Sequence, residues 1–260
     1  MKTWREKLEA NGLAEYIAPF SELTKPGFRL NKEDAAGTLA PGASKFGGAP
    51  DLPPDVEIPS NDGKPLTLIA QLNLSDAALA GTAHPLPVSG VLSFFYDREE
   101  QPWGGEAEDR NGREVLYFES PAELERREVP EEAMLPEFAA AFLEQETLDT
   151  DAVIGMDFDD DTGDAIFGLL EEGAPHHRVL GHPFAVQNPV FPEIAHYCDG
   201  IEDWGEAAKA ADDYVLLFQM DSDEDLDVVW GDLGMLYFCI RKKDLAGKRF
   251  DRTQLIMQCG

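Results

Sequence analysis

Short apolar runs separated by polar turns fill most of the chain, and they are rich in β-branched and aromatic residues. Runs of this length and composition predict strands rather than helices. The predicted strands begin near residue 26, at 64–74, 90–96 and 114–119, on both sides of an acidic turn within 216–240, and near 254–258. The 90–96 and 114–119 runs predict a hairpin, so the sheets are expected to be mainly antiparallel.

Helical spacing is clearest at the start of the chain, where Trp4, Leu8 and Ile17 recur with charged residues between them. This pattern predicts one amphipathic helix over 3–18, broken at Gly12. The Ala- and Leu-rich segment LPEFAAAFLEQE, which begins beside Pro136, predicts a second helix. Shorter helices are expected at 75–80, with Ser75 as its N-cap, at 205–211 and at 243–245.

Three segments of the first half recur in the same order in the second half. They are Lys45–Pro50 with Arg178–Pro183, Ile69–Asn73 with Leu217–Asp221, and Gly90–Phe95 with Gly234–Cys239. Such ordered matches predict an internal duplication. The expected fold is a single α+β domain over 1–260, with mainly antiparallel sheets in two pseudo-repeated halves, about 26–120 and 150–260, an N-terminal helix and a few short helices.

Charge narrows the functions that the chain can perform. It carries 51 acidic and 21 basic residues, for a formal net charge of −30. Between Glu131 and Asp232 there are 27 acidic residues against Arg178 and Lys209 alone. Clustered cations are needed to bind phosphate backbones or anionic membranes, so we expect no nucleic acid and no membrane partner. The field instead favours a cation or a basic protein.

The N-terminal region has no apolar signal core, and no apolar run approaches the length of a membrane span. The three cysteines, Cys198, Cys239 and Cys259, have no metal-binding spacing. An odd number of thiols suits a reducing compartment. These features predict a cytoplasmic protein.

The acidic turn between the last long strands is the strongest candidate for chemistry. Asp221, Asp223, Asp225 and Asp232 offer oxygens at spacings that Ca²⁺ or Mg²⁺ uses. Leu226 stands where an EF-hand requires glycine, and the flanks predict strands, which excludes that motif. The alternative is a hairpin loop whose aspartates accept hydrogen bonds from backbone N–H groups and from water.

A second acidic cluster lies at 157–164, and it lacks the strand-and-DxDx[TV] pattern of an aspartyl nucleophile. A solvated loop is expected there. If both acidic loops share one face, they form a surface for a basic partner. The candidate partner-binding residues are Asp157, Asp159, Asp160, Asp161 and Asp227.

Lys45 and Arg178 occupy matching positions before the two repeated Gly-x-Pro turns. Each is expected either to bind an anion or to form a structural contact with a carboxylate or a loop carbonyl. The chain contains no recognised catalytic motif, such as GxSxG, HExxH or a phosphate-binding glycine loop. A non-catalytic protein is therefore favoured.

Several segments together resemble one known family. These are SKFGGAPDLP, LIAQLNL, LPVSGVLSFFYD, LGHPFAVQ and the run from Leu216 to Ile240, in which Trp230-Gly231-Asp232-x-Gly234 is the most specific. From Ser44 to the C-terminus the chain resembles the YwqG-like bacterial family. That resemblance implies a single compact α+β domain and no known catalytic residues. Because members occur in toxin–immunity settings, it also implies an immunity role against a secreted toxin.

The leading expectation is a non-catalytic, acidic, cytosolic protein that neutralises a basic partner such as a toxin domain, without a cofactor. One alternative is a Ca²⁺- or Mg²⁺-dependent binding or hydrolytic protein that uses the Asp221–Asp232 loop. The other is a small-ligand module with a cleft between the two halves.

Overall fold

A ten-stranded antiparallel sheet, nearly closed into a barrel, forms the centre of the computed structural model, which describes residues 2–35, 37–81, 83–106 and 108–260. The strands are β1 (Thr24–Glu33), β2 (Lys45–Phe46), β3 (Asp51–Leu52), β4 (Ser60–Asn61), β5 (Lys64–Pro65), β6 (Thr67–Asn73), β7 (Val91–Tyr96), β8 (Arg113–Phe118), β9 (Glu125–Arg126), β10 (Phe138–Leu148), β11 (Arg178–Leu180), β12 (Tyr214–Asp221), β13 (Met235–Arg241) and β14 (Gln254–Gln258). The large sheet has the order β14-β13-β12-β11-β1-β10-β2-β6-β7-β8. Strands β3 with β9 and β4 with β5 form two small ladders.

Eight α-helices within the described residues connect or flank these strands. They are α1 (Trp4–Ala10), α2 (Ile17–Ser21), α3 (Leu74–Leu79), α4 (Thr150–Ile154), α5 (Asp160–Glu171), α6 (Val190–Glu193), α7 (Trp204–Ala210) and α8 (Lys242–Ala246). No helix in these ranges is long and apolar enough to cross a membrane.

The longest strands, β1 and β10, pair in the middle of the sheet from Thr24 opposite Leu148 to Glu33 opposite Ala139. The two outer strands approach each other through Arg113 of β8, which donates to the Thr253 carbonyl and to the Gln254 side chain. This side-chain contact links the two edge strands, which do not pair with each other through the backbone within the described residues.

Aromatic rings from both ends of the sheet meet inside the barrel. The ring of Phe94 lies 4.8 Å from that of Phe218 and 5.3 Å from that of Phe238. A second, smaller core forms outside the barrel, where Leu8 of α1 and Ile166 of α5 are buried together. This outer core fixes α1 and α5 against the central strands.

Most of the predicted strands are confirmed, and the helix predicted after Pro136 is wrong because those residues form β10. Alanine and leucine favour helix only weakly, and pairing with β1 and β2 on both sides overrides that preference. The break at Gly12 is confirmed, since α1 ends before it and α2 follows. Asn73, and not Ser75, caps α3, with its side chain accepting from the Ser75 N–H.

The solvated loop predicted for the second acidic cluster is wrong from Asp160 onward, because Asp160, Asp161 and Asp164 lie in α5, whereas Asp157 and Asp159 precede that helix. Asp149 caps α4 by accepting from the Ala152 N–H, and Asp159 caps α5 by accepting from the Thr162 N–H. Aspartate stabilises a helix at this position, so acidity there marks helix starts as well as loops.

Candidate functional site

The two turns singled out from the sequence lie in corresponding places of the sheet. Lys45 of β2 lies beside β10, and Arg178 of β11 lies beside β1. The Lys45 ammonium donates to the Ala49 carbonyl, and the Arg178 guanidinium donates to the His182 carbonyl at 3.0 Å. In each turn, therefore, the side chain of the cation donates to the carbonyl four residues later, at the middle residue of Gly-x-Pro.

A buried glutamine on the neighbouring strand holds each turn in the same way. Each glutamine donates to a carbonyl two residues before the cation and accepts from an N–H six residues after it. The bonds are Gln71 to Ala43 (3.0 Å) and Asp51 (3.2 Å), and Gln219 to His176 (2.8 Å) and Phe184 (2.8 Å). The two turns therefore share the glutamine side chain that holds their backbone as well as the cation.

Backbone conformation agrees as well. Gly47 and Leu180 have φ of 59° and 62°, and the following Gly48 and Gly181 have 67° and 71°. This left-handed conformation is strained for Leu180, which has a Cβ, but not for Gly47. The register also shifts at the same place in both halves, between Leu68 and Ala70 on β6 and between Leu216 and Phe218 on β12.

The two turns differ in how the cation is neutralised. Lys45 is fully buried, and its Nζ lies 3.2 Å from Glu137 Oε2 and 3.7 Å from Asp51 Oδ2. Arg126 also pairs with both carboxylates. Burial alone would raise the pKa of Asp51, yet the hydrogen bond from Arg126 and the charge of Lys45 lower it overall. The first turn is a closed network of two cations and two carboxylates.

Neutral residues replace both carboxylates in the second turn. Phe184 stands where Asp51 stands, bonded through its N–H to the equivalent glutamine. A Cβ on Gly48 would lie 2.2 Å from Glu137 Oε2, and a Cβ on Gly181 would lie 2.2 Å from Thr147 Oγ1. A hydroxyl thus lies against the second turn where a carboxylate lies against the first.

Arg178 is buried, with a relative exposure of 6%, and within the described residues no carboxylate lies within 4.0 Å of its guanidinium. Its side chain contacts the His182 carbonyl and the Phe184 ring, whose centroid lies 5.8 Å from Cζ. Burial lowers the pKa of Arg178 to about 10, so it remains a cation at neutral pH. Most of its five N–H donors make no bond to the described protein.

A cavity of about 250 Å³ opens in front of Arg178, and we call it the cationic pocket. Its charged lining residues are Lys2, Arg5, Lys7, Arg29 and Arg178, against Glu144, Glu146 and Glu172. Five cations against three carboxylates give a local formal charge of +2 in a chain of −30. The lining of this cavity is therefore locally positive, although the chain as a whole is strongly negative.

The walls of the cationic pocket are held by their own hydrogen bonds. Lys7 of α1 donates to the carbonyls of Leu169 and Glu172, both at 2.7 Å, at the end of α5. Arg29 of β1 donates to the carbonyls of Gly173 and Pro175. These bonds fix the positions of both cations in the pocket wall.

His176 contributes an aromatic face to the pocket. Its ring stacks on Phe184 with centroids 4.5 Å apart, and its Nε2 lies 3.2 Å from the Glu171 carbonyl. Burial and the charge of Arg178 lower the pKa of His176 to about 3, so the ring is neutral near pH 7. The pocket's positive charge therefore comes from arginine and lysine.

The acidic turn after β12 is engaged mainly by the protein itself. Asp221 is buried and accepts the His176 N–H at 2.7 Å. Asp223 is buried too, and it contacts Lys32 and His177, whose Nε2 lies 2.8 Å away. Burial opposes ionisation of Asp223, but the bonds from His177 and Lys32 lower its pKa to about 2. Both carboxylates have structural partners.

Asp225 is exposed and lies 2.7 Å from Lys32, whereas Asp232 is exposed on the following turn. Across residues 2–35, 37–81, 83–106 and 108–260, no three His, Cys, Asp or Glu side chains gather as metal ligands. The Ca²⁺ or Mg²⁺ site at Asp221, Asp223, Asp225 and Asp232 therefore has no supporting cluster there and stays a prediction.

The predicted partner-binding residues divide between two surfaces. The exposed aspartates at the start of α5 are Asp157, Asp159, Asp160 and Asp161. The fifth, Asp227, has a left-handed backbone and lies 3.4 Å from Arg98. Binding of a basic partner by these residues stays a prediction.

Sequence patterns pointed to Arg178 but missed the residues around it. Arg29 faces Arg178 only because β1 pairs with β11, which lies far along the chain. Lys7 reaches the pocket only because α1 packs on α5. One difference between the two repeats was visible in the sequence. Asp51 follows Lys45 by six residues, whereas Phe184 follows Arg178 by six, so the second repeat keeps the cation and lacks the carboxylate.

Residues 44–259 match the sequence profile of a family described as a domain of unknown function, DUF1963. No curated protein matches the chain. The match begins at Ser44, where the YwqG-like resemblance begins, and it includes both turns; the YwqG-like name itself stays a prediction. The chain thus belongs to the DUF1963 family of domains of unknown function.

Proposed function

We propose that this chain binds a small organic anion in the cationic pocket, with Arg178 as the anchoring cation. The buried guanidinium without a carboxylate partner among the described residues carries this proposal. Removing a charge from water costs several kcal/mol unless a partner of opposite charge compensates. A ligand anion in the adjoining cavity would supply that partner.

The size and lining of the pocket favour a small ligand with an apolar body. Its volume of about 250 Å³ falls just below the 300–1,000 Å³ typical of drug-sized ligands. Trp4, Leu143, Leu169 and Phe184 supply apolar and aromatic surface around the cations. This combination fits one anionic group attached to a compact hydrocarbon or ring.

Binding is favoured over catalysis at this site. His176 is neutral, and its Nε2 already contacts the Glu171 carbonyl. The Thr147 hydroxyl donates to the Lys25 carbonyl and accepts from the His182 N–H. Groups occupied in this way hold the turn in place and are poorly placed to exchange protons with a substrate.

We also propose that the two halves are copies of one five-stranded unit, with their long strands exchanged. One copy would contain β1, β2, β6, β7 and β8, and the other β10, β11, β12, β13 and β14. The matching glutamine bonds, backbone angles and register shifts support this. In the sheet, β1 pairs with β11 and β10 pairs with β2, so each copy's first strand lies beside the other copy's turn.

Binding of a basic protein is a second candidate function. It is favoured by the exposed aspartates at the start of α5, for which no lysine or arginine lies within 4.0 Å among the described residues. Changing Asp157, Asp160 and Asp161 together to lysine should abolish capture of such a partner at low salt. Unchanged capture would contradict this candidate.

Calorimetric titration of the purified chain tests the anion-binding function. The panel should contain carboxylates, phosphate esters and sulfonates of small aromatic and aliphatic bodies. We expect at least one to bind, and Arg178→Met to weaken it about ten- to a hundredfold, as for a lost charge-assisted hydrogen bond. Arg249→Met, at an exposed arginine paired with Asp251, is the matched control. Absence of binding by all three classes, or full affinity in Arg178→Met, would contradict the proposal.

A further inference from the structure

Charge balance around Arg178 indicates how many negative charges a ligand brings. The pocket lining carries five cations and three carboxylates. Behind it, the buried carboxylate of Asp221 acts on both Arg29 and Arg178. With Asp221 counted, the cations around the pocket exceed the carboxylates by one, and Arg178 is the buried cation for which no described carboxylate lies within 4.0 Å.

The first turn shows what neutralises a cation in this scaffold. Glu137 Oε2 lies 3.2 Å from Lys45 and 2.9 Å from Arg126, and Asp51 pairs with the same two cations. Carboxylate is thus the anion that the first half places beside its buried cation. The second half keeps the cation, has Phe184 at the place of Asp51, and has the Thr147 hydroxyl close to Gly181.

We infer that the ligand of the cationic pocket is a small monocarboxylic acid, whose carboxylate pairs with Arg178 as Glu137 and Asp51 pair with Lys45. This inference rests on the proposed anion-binding function and specifies its ligand class. The planar guanidinium presents parallel N–H donors that match the two oxygens of a carboxylate.

Two features disfavour a phosphate monoester. Lys7 and Arg29 already donate to main-chain carbonyls, which reduces the donors available for three phosphate oxygens. A phosphate near neutral pH also carries close to two negative charges, whereas the cations counted around the pocket exceed the carboxylates by only one. Glu172 on the wall would repel the surplus charge.

A second carboxylate on the ligand is disfavoured by Phe184. Its backbone N–H bonds to Gln219 as that of Asp51 bonds to Gln71, and its ring stacks on His176. A dicarboxylate would have to place its other charge against these rings or beside Glu144 and Glu172. The body of the ligand should therefore be apolar.

Titration calorimetry with three probes tests the ligand class: 3-phenylpropanoate, succinate and phenyl phosphate. We expect 3-phenylpropanoate to bind most tightly and the other two about tenfold or more weakly, as mismatched charge leaves polar groups unpaired. The neutral 3-phenylpropanamide should not bind measurably. Tighter binding of succinate or phenyl phosphate, or equal binding of the amide, overturns the inference.

The substitution Phe184→Asp gives the second turn the carboxylate that the first turn has. We expect it to weaken 3-phenylpropanoate about a hundredfold, since an internal carboxylate competes for Arg178. The matched control Phe184→Leu should lose only a few-fold in affinity. Wild-type affinity in a folded Phe184→Asp overturns the inference, and the amide comparison decides the matter if that variant does not fold. If another anion binds and needs Arg178, the anion-binding function survives; if none binds, both fail.

Discussion

The turn after Lys45 and the turn after Arg178 share hydrogen bonds, backbone angles and neighbouring glutamines, yet they treat a buried cation differently. The first surrounds Lys45 with Asp51 and Glu137 from the chain itself. The second leaves Arg178 beside a cavity. On the proposed function, the same turn geometry is a structural anchor around Lys45 and a binding site around Arg178.

Chain length between the strands accounts for part of this difference. Residues 34–44 connect β1 to β2, whereas residues 149–177 connect β10 to β11 and contain α4 and α5. Only the second connection is long enough to build a helical roof, and α1 packs on it. Helices α1 and α5 line the cavity beside Arg178. A buried cation without a carboxylate partner lowers the stability of the folded chain, whereas the paired Lys45 in the first turn does not have this cost.

The largest expected effect is a difference in unfolding free energy between substitutions in the two turns. Asp51→Asn should lower the free energy of unfolding by about 3–5 kcal/mol, because it leaves Lys45 and Arg126 with one carboxylate in a buried network. Arg178→Met should change it by only about 1 kcal/mol, since a lost hydrogen bond is offset by relief of desolvation. Urea unfolding measures both, and equal losses would contradict the comparison.

Acid should destabilise the second half preferentially. Burial lowers the pKa of His176 to about 3 and that of His182 to about 4, below the ordinary 6.5. The unfolded chain therefore binds protons first, and stability is lost as pH falls from about 6.5 toward 4. Burial raises the pKa of Asp151 to about 6, so this carboxyl binds a proton more readily in the folded chain and gains stability as pH falls. Its pKa is shifted less than those of the two histidines, so it offsets only part of the loss.

We expect a net decrease of about 3 kcal/mol over that range, measured by urea unfolding at several pH values. In His176→Gln the decrease should be smaller. An unfolding free energy independent of pH between 6.5 and 4 would show that the buried histidines are not held neutral.

The shared part of the scaffold should respond in both halves. Gln71→Ala and Gln219→Ala each leave a buried N–H and a buried carbonyl without their partner. Each should cost about 1–3 kcal/mol, with the larger loss for Gln71, which also donates to Asp51 Oδ2 at 2.8 Å. A large loss for one and none for the other would break the equivalence of the two turns.

The smallest expected effect concerns α5, the helix that lines one side of the cationic pocket. Asp159→Ala removes the N-cap of α5 and should cost about 1 kcal/mol. Asp161→Asn, at an exposed position in the first turn of α5, should change stability by less than about 0.5 kcal/mol. Thermal unfolding by circular dichroism compares the two, and the reverse order would refute the capping role.

Sequence reasoning predicted the antiparallel strands well because their apolar runs are short and bounded by clear turns. It failed at β10, where Ala139–Ala141 favour helix locally but pair with β1, and Ala139 also pairs with β2. It identified Arg178 through the repeated turn. Arg29 and Lys7 could not be found, since only strand pairing and helix packing bring them to the same cavity.

Nuclear magnetic resonance of the ¹⁵N-labelled chain tests the central comparison most directly. On addition of 3-phenylpropanoate, we predict shifts of the Arg178 side-chain Nε–H signal and of the backbone signals of His182 and Phe184. The equivalent backbone signals of Ala49 and Asp51, in the closed turn, should not move. Movement of the Ala49 and Asp51 signals instead, or of neither set, would contradict the account.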